Sequence, residues 1–113
     1  MIDSYRFGAI AVDGIEYNRD LIVYPERLRD GWRSKEGHSL WPTDLEDVFE
    51  YHPDVLVVGQ GAYGRMKIPD ATRRRAKEEG IELVAADTAN SVERFNEEME
   101  KGTKVVGAFH LTC

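Results

Sequence analysis

Cysteine is almost absent from this chain: Cys113 is the only one. An internal disulfide framework is therefore excluded, and such usage suits a reducing cytosol. Basic residues are also in short supply. Lys plus Arg number 15 against 21 Asp plus Glu, giving a net charge of −6 and a pI near 5.0. Nucleic-acid binders need a basic face to displace the counterions of phosphate, so no nucleic-acid partner is expected. Long apolar runs are missing too. The longest, Val55 to Val58, is far too short to cross a bilayer. The opening Met1-Ile2-Asp3-Ser4-Tyr5-Arg6 lacks the charged-then-apolar order of a signal peptide. Glutamine occurs once, at Gln60, and asparagine only at Asn18, Asn90 and Asn96, while 32% of residues are charged. Few thermolabile amides beside many ionic side chains is a thermophile pattern, although chance in a short chain yields the same composition. What is present is a chain of 113 residues, the size of one domain. Such a domain buries roughly two-thirds of the surface its unfolded chain exposes. One soluble, cytoplasmic domain over 1–113 is the expectation.

The first half reads as β structure. Phe7 to Val12 alternates loosely, Asp13-Gly14 is a hairpin turn signal, and Ile15 to Tyr17 returns. Asp20 to Tyr24 is a further strand closed by Pro25. From Glu26 to Leu40 the chain is charged and holds Gly31 and Gly37; a short strand or two in a long ordered loop is expected. Trp32 and Trp41 are its candidate anchors.

The second half alternates helix with strand. Thr43-Asp44-Leu45-Glu46 has the spacing of a capping box with Thr43 at the N-cap. Leu45, Val48 and Phe49 then share a helical face, and His52-Pro53 ends the helix. Asp54 to Gly59 is apolar on both faces, as a buried parallel strand is. A second helix runs from Pro69-Asp70 through Glu79 and stops at Gly80, followed by a strand from Ile81 to Ala86. Asp87 or Thr88 caps a third helix with the stripe Ala89, Val92, Phe95 and Met99, ending at Gly102. Thr103 to Leu111 is the last strand. The result is one α/β domain, a β-rich N-terminal half followed by α-β-α-β-α-β. Two strand–helix–strand crossovers imply parallel pairing, and the initial meander adds antiparallel strands or lies across the sheet.

Gly59-Gln60-Gly61-Ala62-Tyr63-Gly64 matches GxGxxG directly after a predicted strand. In a dinucleotide site these glycines let backbone amides approach a pyrophosphate at a helix N-terminus, and Asp87 lies at a spacing suited to the ribose. Against this, Arg65 to Pro69 intervene before any helical signal, and 113 residues leave no room for a second half. A sharp glycine turn explains the motif more simply. The carboxyl ends of parallel strands still form crevices, so Gly59, Gly61, Tyr63, Thr88 and Asn96 are the candidate ligand-binding residues, with Arg65 and Lys67 beside them for a small anion.

His110 and Cys113 have H-x-x-C spacing but fall on opposite faces of an extended strand, and two ligands do not make a structural zinc site. Ser4, Ser34, Ser39 and Ser91 lack a nucleophile elbow, and N-capping accounts for Thr88 beside Asp87. No residue is assigned a catalytic role, and no cofactor or metal is expected. Arg73-Arg74-Arg75 spread over about 200° of helical arc, with Glu78 and Glu79 at ion-pairing spacing. Glu93, Glu97, Glu98 and Glu100 make the third helix acidic, so self-association or a charged protein partner is a further expectation.

In their order, these landmarks resemble the small Mth-type conserved domain family, which includes the adipogenesis-associated Mth domain-containing protein and mitochondrial complex I assembly factor three. The resemblance rests on Ile2-Asp3-Ser4-Tyr5, Trp32-Arg33, His38-Ser39, Val57-Val58-Gly59 with Gly61, Asp87-Thr88 with Asn90, Phe95-Asn96, and Phe109-His110 followed by Thr112-Cys113. It implies a compact three-layer fold with a mixed sheet. It brings no reaction and no cofactor, and it points to action through protein partners. A non-enzymatic binding or assembly module is thus the leading expectation. A small-molecule or anion site at the glycine turn is the alternative.

Overall fold

The computed structural model describes residues 1–32 and 37–113. The resemblance at Arg33 and the serine at Ser34 lie outside the described residues. Eight strands and three α-helices follow one another along the described chain. They are β1 (Ile2–Arg6), β2 (Ala9–Val12), β3 (Ile15–Tyr17), β4 (Leu21–Val23), β5 (Leu28–Asp30), α1 (Glu46–Tyr51), β6 (Val55–Gln60), α2 (Asp70–Glu78), β7 (Glu82–Ala86), α3 (Thr88–Glu100) and β8 (Val105–His110).

Five strands form the central sheet in the order β5-β4-β8-β6-β7. β6 pairs parallel with both β7 and β8, while β4 is antiparallel to β8 and β5. The meander does both things expected of it. β4 and β5 extend the main sheet, and β1-β2-β3 form a separate antiparallel sheet.

Period-2 alternation sorts the strand residues between two cores. Leu56, Val58, Val106, Ala108 and Ile22 face α1 and α2, with Phe49, Leu45 and Ala76 opposite them. Val55, Val57, Val105, Phe109, Leu21 and Val23 face α3 and the small sheet, meeting Val92, Phe95, Ile10 and Val12. Three layers result: α1 and α2, the mixed sheet, and α3 with the small sheet. Phe95 and Phe109 meet edge to face at 5.7 Å between ring centres, over a sheet position that Gly107 keeps open.

Local corrections concern the chain start and the caps. β1 is a strand that the sequence pattern does not announce; residues Phe7 and Gly8 are the turn between it and β2. The first helix is preceded by a 3₁₀ turn over Pro42–Leu45, and the cap falls two residues earlier than Thr43: the Asp44 carboxylate accepts from the Trp41 amide at 2.8 Å. Trp32 is the anchor, 3% exposed with its indole N–H donating to the Asp44 carbonyl at 3.0 Å. Trp41 is 36% exposed and is not buried as an anchor. At the far end of α1, His52 adopts φ +57 in the left-handed region and Pro53 follows, as the sequence implies. Asp87 is the N-cap of α3, accepting from the Asn90 amide at 3.3 Å.

Candidate functional site

The loops after β6 and β7 leave toward opposite faces of the sheet, one to α2 and the other to α3. A crevice at the carboxyl ends of these strands is where open α/β sheets place ligands. Here the chain closes it on itself. The Thr88 amide donates to the Gly61 carbonyl at 3.0 Å, and the Gly61 amide donates to Thr88 Oγ1 at 3.0 Å. Thr88 Oγ1 in turn donates to the His110 carbonyl, joining the ends of β6, α3 and β8 at one hydroxyl. The Ala62 amide donates to the Thr112 carbonyl at 2.8 Å, and the Gly64 amide to the Gly61 carbonyl at 3.2 Å.

The glycines serve this closure. A Cβ on Gly59 would stand 2.8 Å from Ser91 Oγ and 2.9 Å from Thr88 Oγ1, so glycine there lets α3 press against β6. Gly61 has φ +94, and a Cβ would meet the Thr112 carbonyl oxygen at 2.6 Å. The helix of a dinucleotide motif does not start in this loop; α2 begins only at Asp70.

The five candidate ligand residues are therefore not one lining. Gly59, Gly61 and Thr88 are packed together in the interior. Tyr63 projects outward at 65% exposure, 6.3 Å from the Phe7 ring with the Arg65 guanidinium 5.5 Å from its own. Asn96 sits about two helical turns further along α3. Its amide donates to the Ile2 carbonyl at 2.8 Å and its oxygen accepts from the Ile2 amide at 2.9 Å, so it acts as a strand partner for β1.

One polar constellation leaves no mark in the sequence pattern. His110 Nδ1 is hydrogen-bonded to the Asp20 carboxylate, whose other oxygen accepts from the Leu111 amide at 2.9 Å. Asp20 raises the His110 pKa above its ordinary value, opposed by burial, and the nearby Cys113 backbone pushes the same way as Asp20. Nε2 is buried and, among the described residues, has no partner at hydrogen-bond geometry. Tyr5 closes the cluster by donating to the Leu111 carbonyl at 2.9 Å, and burial raises its phenol above the usual value. Asp20 and His110 are 90 residues apart, so no local spacing could have paired them. Among the described residues, no three His, Cys, Asp or Glu side chains converge as a metal site would require. No described helix is long and apolar enough to cross a membrane.

A different concavity lies between the small sheet, the β4–β5 turn and α3. It holds about 250 Å³, with Ile15, Leu28 and Met99 on its apolar walls and Asp13, Glu26 and Arg27 among its charged ones. Ile15 points to the same side of β3 as Tyr17 and stands opposite the buried Val12, yet it is 58% exposed. Met1, 42% exposed, flanks the same groove.

Residues 2–110 match the profile of a family described as protein of unknown function (DUF498/DUF598). The chain belongs to that family. Among solved structures, the conserved hypothetical protein PH1505 from Pyrococcus horikoshii OT3 is similar over 100% of this chain and 99% of its own, at 28% identity and a TM-score of 0.87. The protein MT938 is similar at 24% identity and a TM-score of 0.84, covering 100% of this chain and 98% of that one. A Mth938-like domain protein from Bordetella pertussis matches at 18% identity and a TM-score of 0.78, over 98% of this chain and 85% of its own. The latter two share the fold. The Mth-type resemblance and the three-layer mixed α/β architecture expected from it thus hold across the chain.

Proposed function

We propose that this domain is a non-enzymatic protein-binding or assembly module working in the cytoplasm, and that it receives its partner at the groove beside Ile15. The observation that carries this reading is the 250 Å³ concavity with a large apolar side chain left uncovered at its mouth. That volume falls below the roughly 300–1,000 Å³ of small-molecule sites and matches one or two side chains of a protein, with an apolar contact for Ile15 and Leu28 and charged ones for Asp13, Glu26 and Arg27. At the glycine turn, by contrast, the Gly61, Ala62 and Gly64 amides are spent on the chain's own oxygens, which disfavours an anion cradle. Cys113 is an exposed free thiol, suited to a reducing compartment.

The test is site-specific photocrosslinking in native extract, with the reactive group at position 15 or, as control, at Glu93 on the outer face of α3. Position 15 should yield a discrete adduct that unlabelled wild type competes away and Ile15→Glu does not. Adducts that are absent, or equal at both positions, would remove the groove as a docking site.

A further inference from the structure

Among the described residues, the two sheets present four outer strands, and three of them carry charge that discourages pairing. β5 has Arg29 bound to Asp47 and Asp30 bound to Arg19, each at 2.9 Å. β3 has Glu16 at its centre, held by Arg6 at 3.4 Å. β1 carries Asp3 and Arg6, and Asn96 covers the backbone of its first residue. Exposed strand edges offer unpaired amides and carbonyls, and charge, proline or bulges are the usual means of blocking them.

β7 has the least of these devices, with no charge beyond its first residue. Its sequence is Glu82-Leu83-Val84-Ala85-Ala86, it pairs in unbroken register with β6, and no described strand lies on its other edge. Leu83 to Ala86 are all only half-buried. Leu83 and Ala85 lean toward the core under α2, and Val84 toward the core under α3. Its lone charge, Glu82, stands at the first residue of the strand, paired with Arg94 of the same chain at 3.3 Å, so residues 83–86 carry none.

We propose that β7 is a self-association edge, and that its occupant is β7 of a second copy, antiparallel about a twofold axis normal to the sheet. The strand is self-complementary in that arrangement. Centring the axis on Val84 sets Val84 against its own counterpart on the α3 face. Leu83 then lies opposite Ala85 of the second copy on the α2 face, a large side chain against a small one. Glu82 lies opposite Ala86 of the second copy, so no like charges are directly paired across the ladder. Both helical layers continue across the junction, and twofold symmetry closes the assembly at a dimer that doubles the five-stranded sheet. This surface is separate from the groove at Ile15, so either proposal stands or falls alone.

Sedimentation velocity over a concentration series gives the first reading. The mean mass should climb from 12.9 kDa toward twice that value. Val84→Lys, which restores the missing guard at a half-buried edge position, should weaken dimerisation at least tenfold. The same lysine at Ile15 should leave it unchanged. Register is read by disulfide trapping with oxidised glutathione on a Cys113→Ser background. Directly opposed residues of an antiparallel pair have Cα atoms about 4.5–5.5 Å apart, inside the range a disulfide spans. Val84→Cys should therefore trap with itself, whereas Glu82→Cys and Ala86→Cys should trap only when mixed. A protein that stays monomeric up to about 1 mM, where even a millimolar contact is half-populated, overturns the proposal. So does a dimer indifferent to Val84→Lys while the variant remains folded, or trapping between other positions.

Discussion

Replacing Asn96 by alanine removes both hydrogen bonds by which α3 holds the first residue of β1, at 2.8 and 2.9 Å. Each such bond contributes about 1 kcal/mol net, and an amide or carbonyl left unpaired away from water costs more. Ile2 is 4% exposed but begins a strand, so its backbone regains some water; a loss of about 2 kcal/mol follows. With an unfolding entropy of roughly 2.1 cal/mol/K per residue over 113 residues, this lowers the melting temperature by about 8 °C. Asn96→Asp sharpens the test. Its carboxylate still accepts from the Ile2 amide but faces the Ile2 carbonyl with a second oxygen. Protonated, the acid donates to that carbonyl as the amide does. The folded protein therefore raises the pKa of the new group. Its deficit relative to wild type should be small below about pH 4 and should grow as pH rises from there toward the folded value. Urea denaturation of the three proteins between pH 3 and pH 7 reads this directly. An alanine variant within about 0.5 kcal/mol of wild type, or an aspartate variant whose deficit is flat with pH, would refute the strand-partner role of Asn96.

Gly59→Ala should cost about 1–3 kcal/mol by overpacking against Thr88 and Ser91, seen as a lower urea midpoint at unchanged slope. Because Asp20 raises the pKa of His110, the pair stabilises the fold in full below about pH 6.5, and that contribution fades as pH rises through the folded value. The stability gap between wild type and Asp20→Asn should therefore be wider at pH 5 than at pH 9, and the His110 midpoint in an NMR titration should move downward in the variant. Iodide should quench the fluorescence of Trp41 and spare Trp32, so Trp41→Phe should abolish most of the quenching. A quenchable signal surviving in that variant would contradict the burial of Trp32.

Strands covered on both faces are the easiest to read. Val55 to Val58 and Val105 to Ala108 are apolar or small throughout because helices or the small sheet lie on either side. β1 is hidden by its own geometry. A bulge between Ile2 and Ser4 shifts the alternation, so the inward residues Ile2 and Tyr5 are three apart and the strand shows no period of 2. The cap before α1 is ambiguous in sequence because Trp41 to Asp44 and Thr43 to Glu46 share the same four-residue spacing, and only the 3₁₀ turn decides between them. At the candidate site, the glycine turn is legible as a turn. What fills it is not, since Thr88, His110 and Thr112 reach it from elsewhere in the chain. Asn96 and Asp20 act on residues 94 and 90 positions away, a distance over which sequence carries no periodic trace.

The central place of β8 also bears on how the molecule assembles in time. β4 meets β8 through Leu21 and Phe109, and β6 meets it along six residues, so in the described sheet one late strand bridges the β4–β5 hairpin and the β6–β7 pair. During synthesis the hairpin must wait for the whole run from α1 through α3 before it gains that neighbour. Pairings this distant in sequence slow folding and prolong the exposure of apolar strands. The helical half can order first around β6 and β7, while Leu21, Ile22 and Val23 remain uncovered until Val105–His110 emerges. Truncations that remove β8 should leave one chain whose β4–β5 and β6–β7 pairs share no sheet, and its aggregation in a cell-free synthesis reaction would mark that interval.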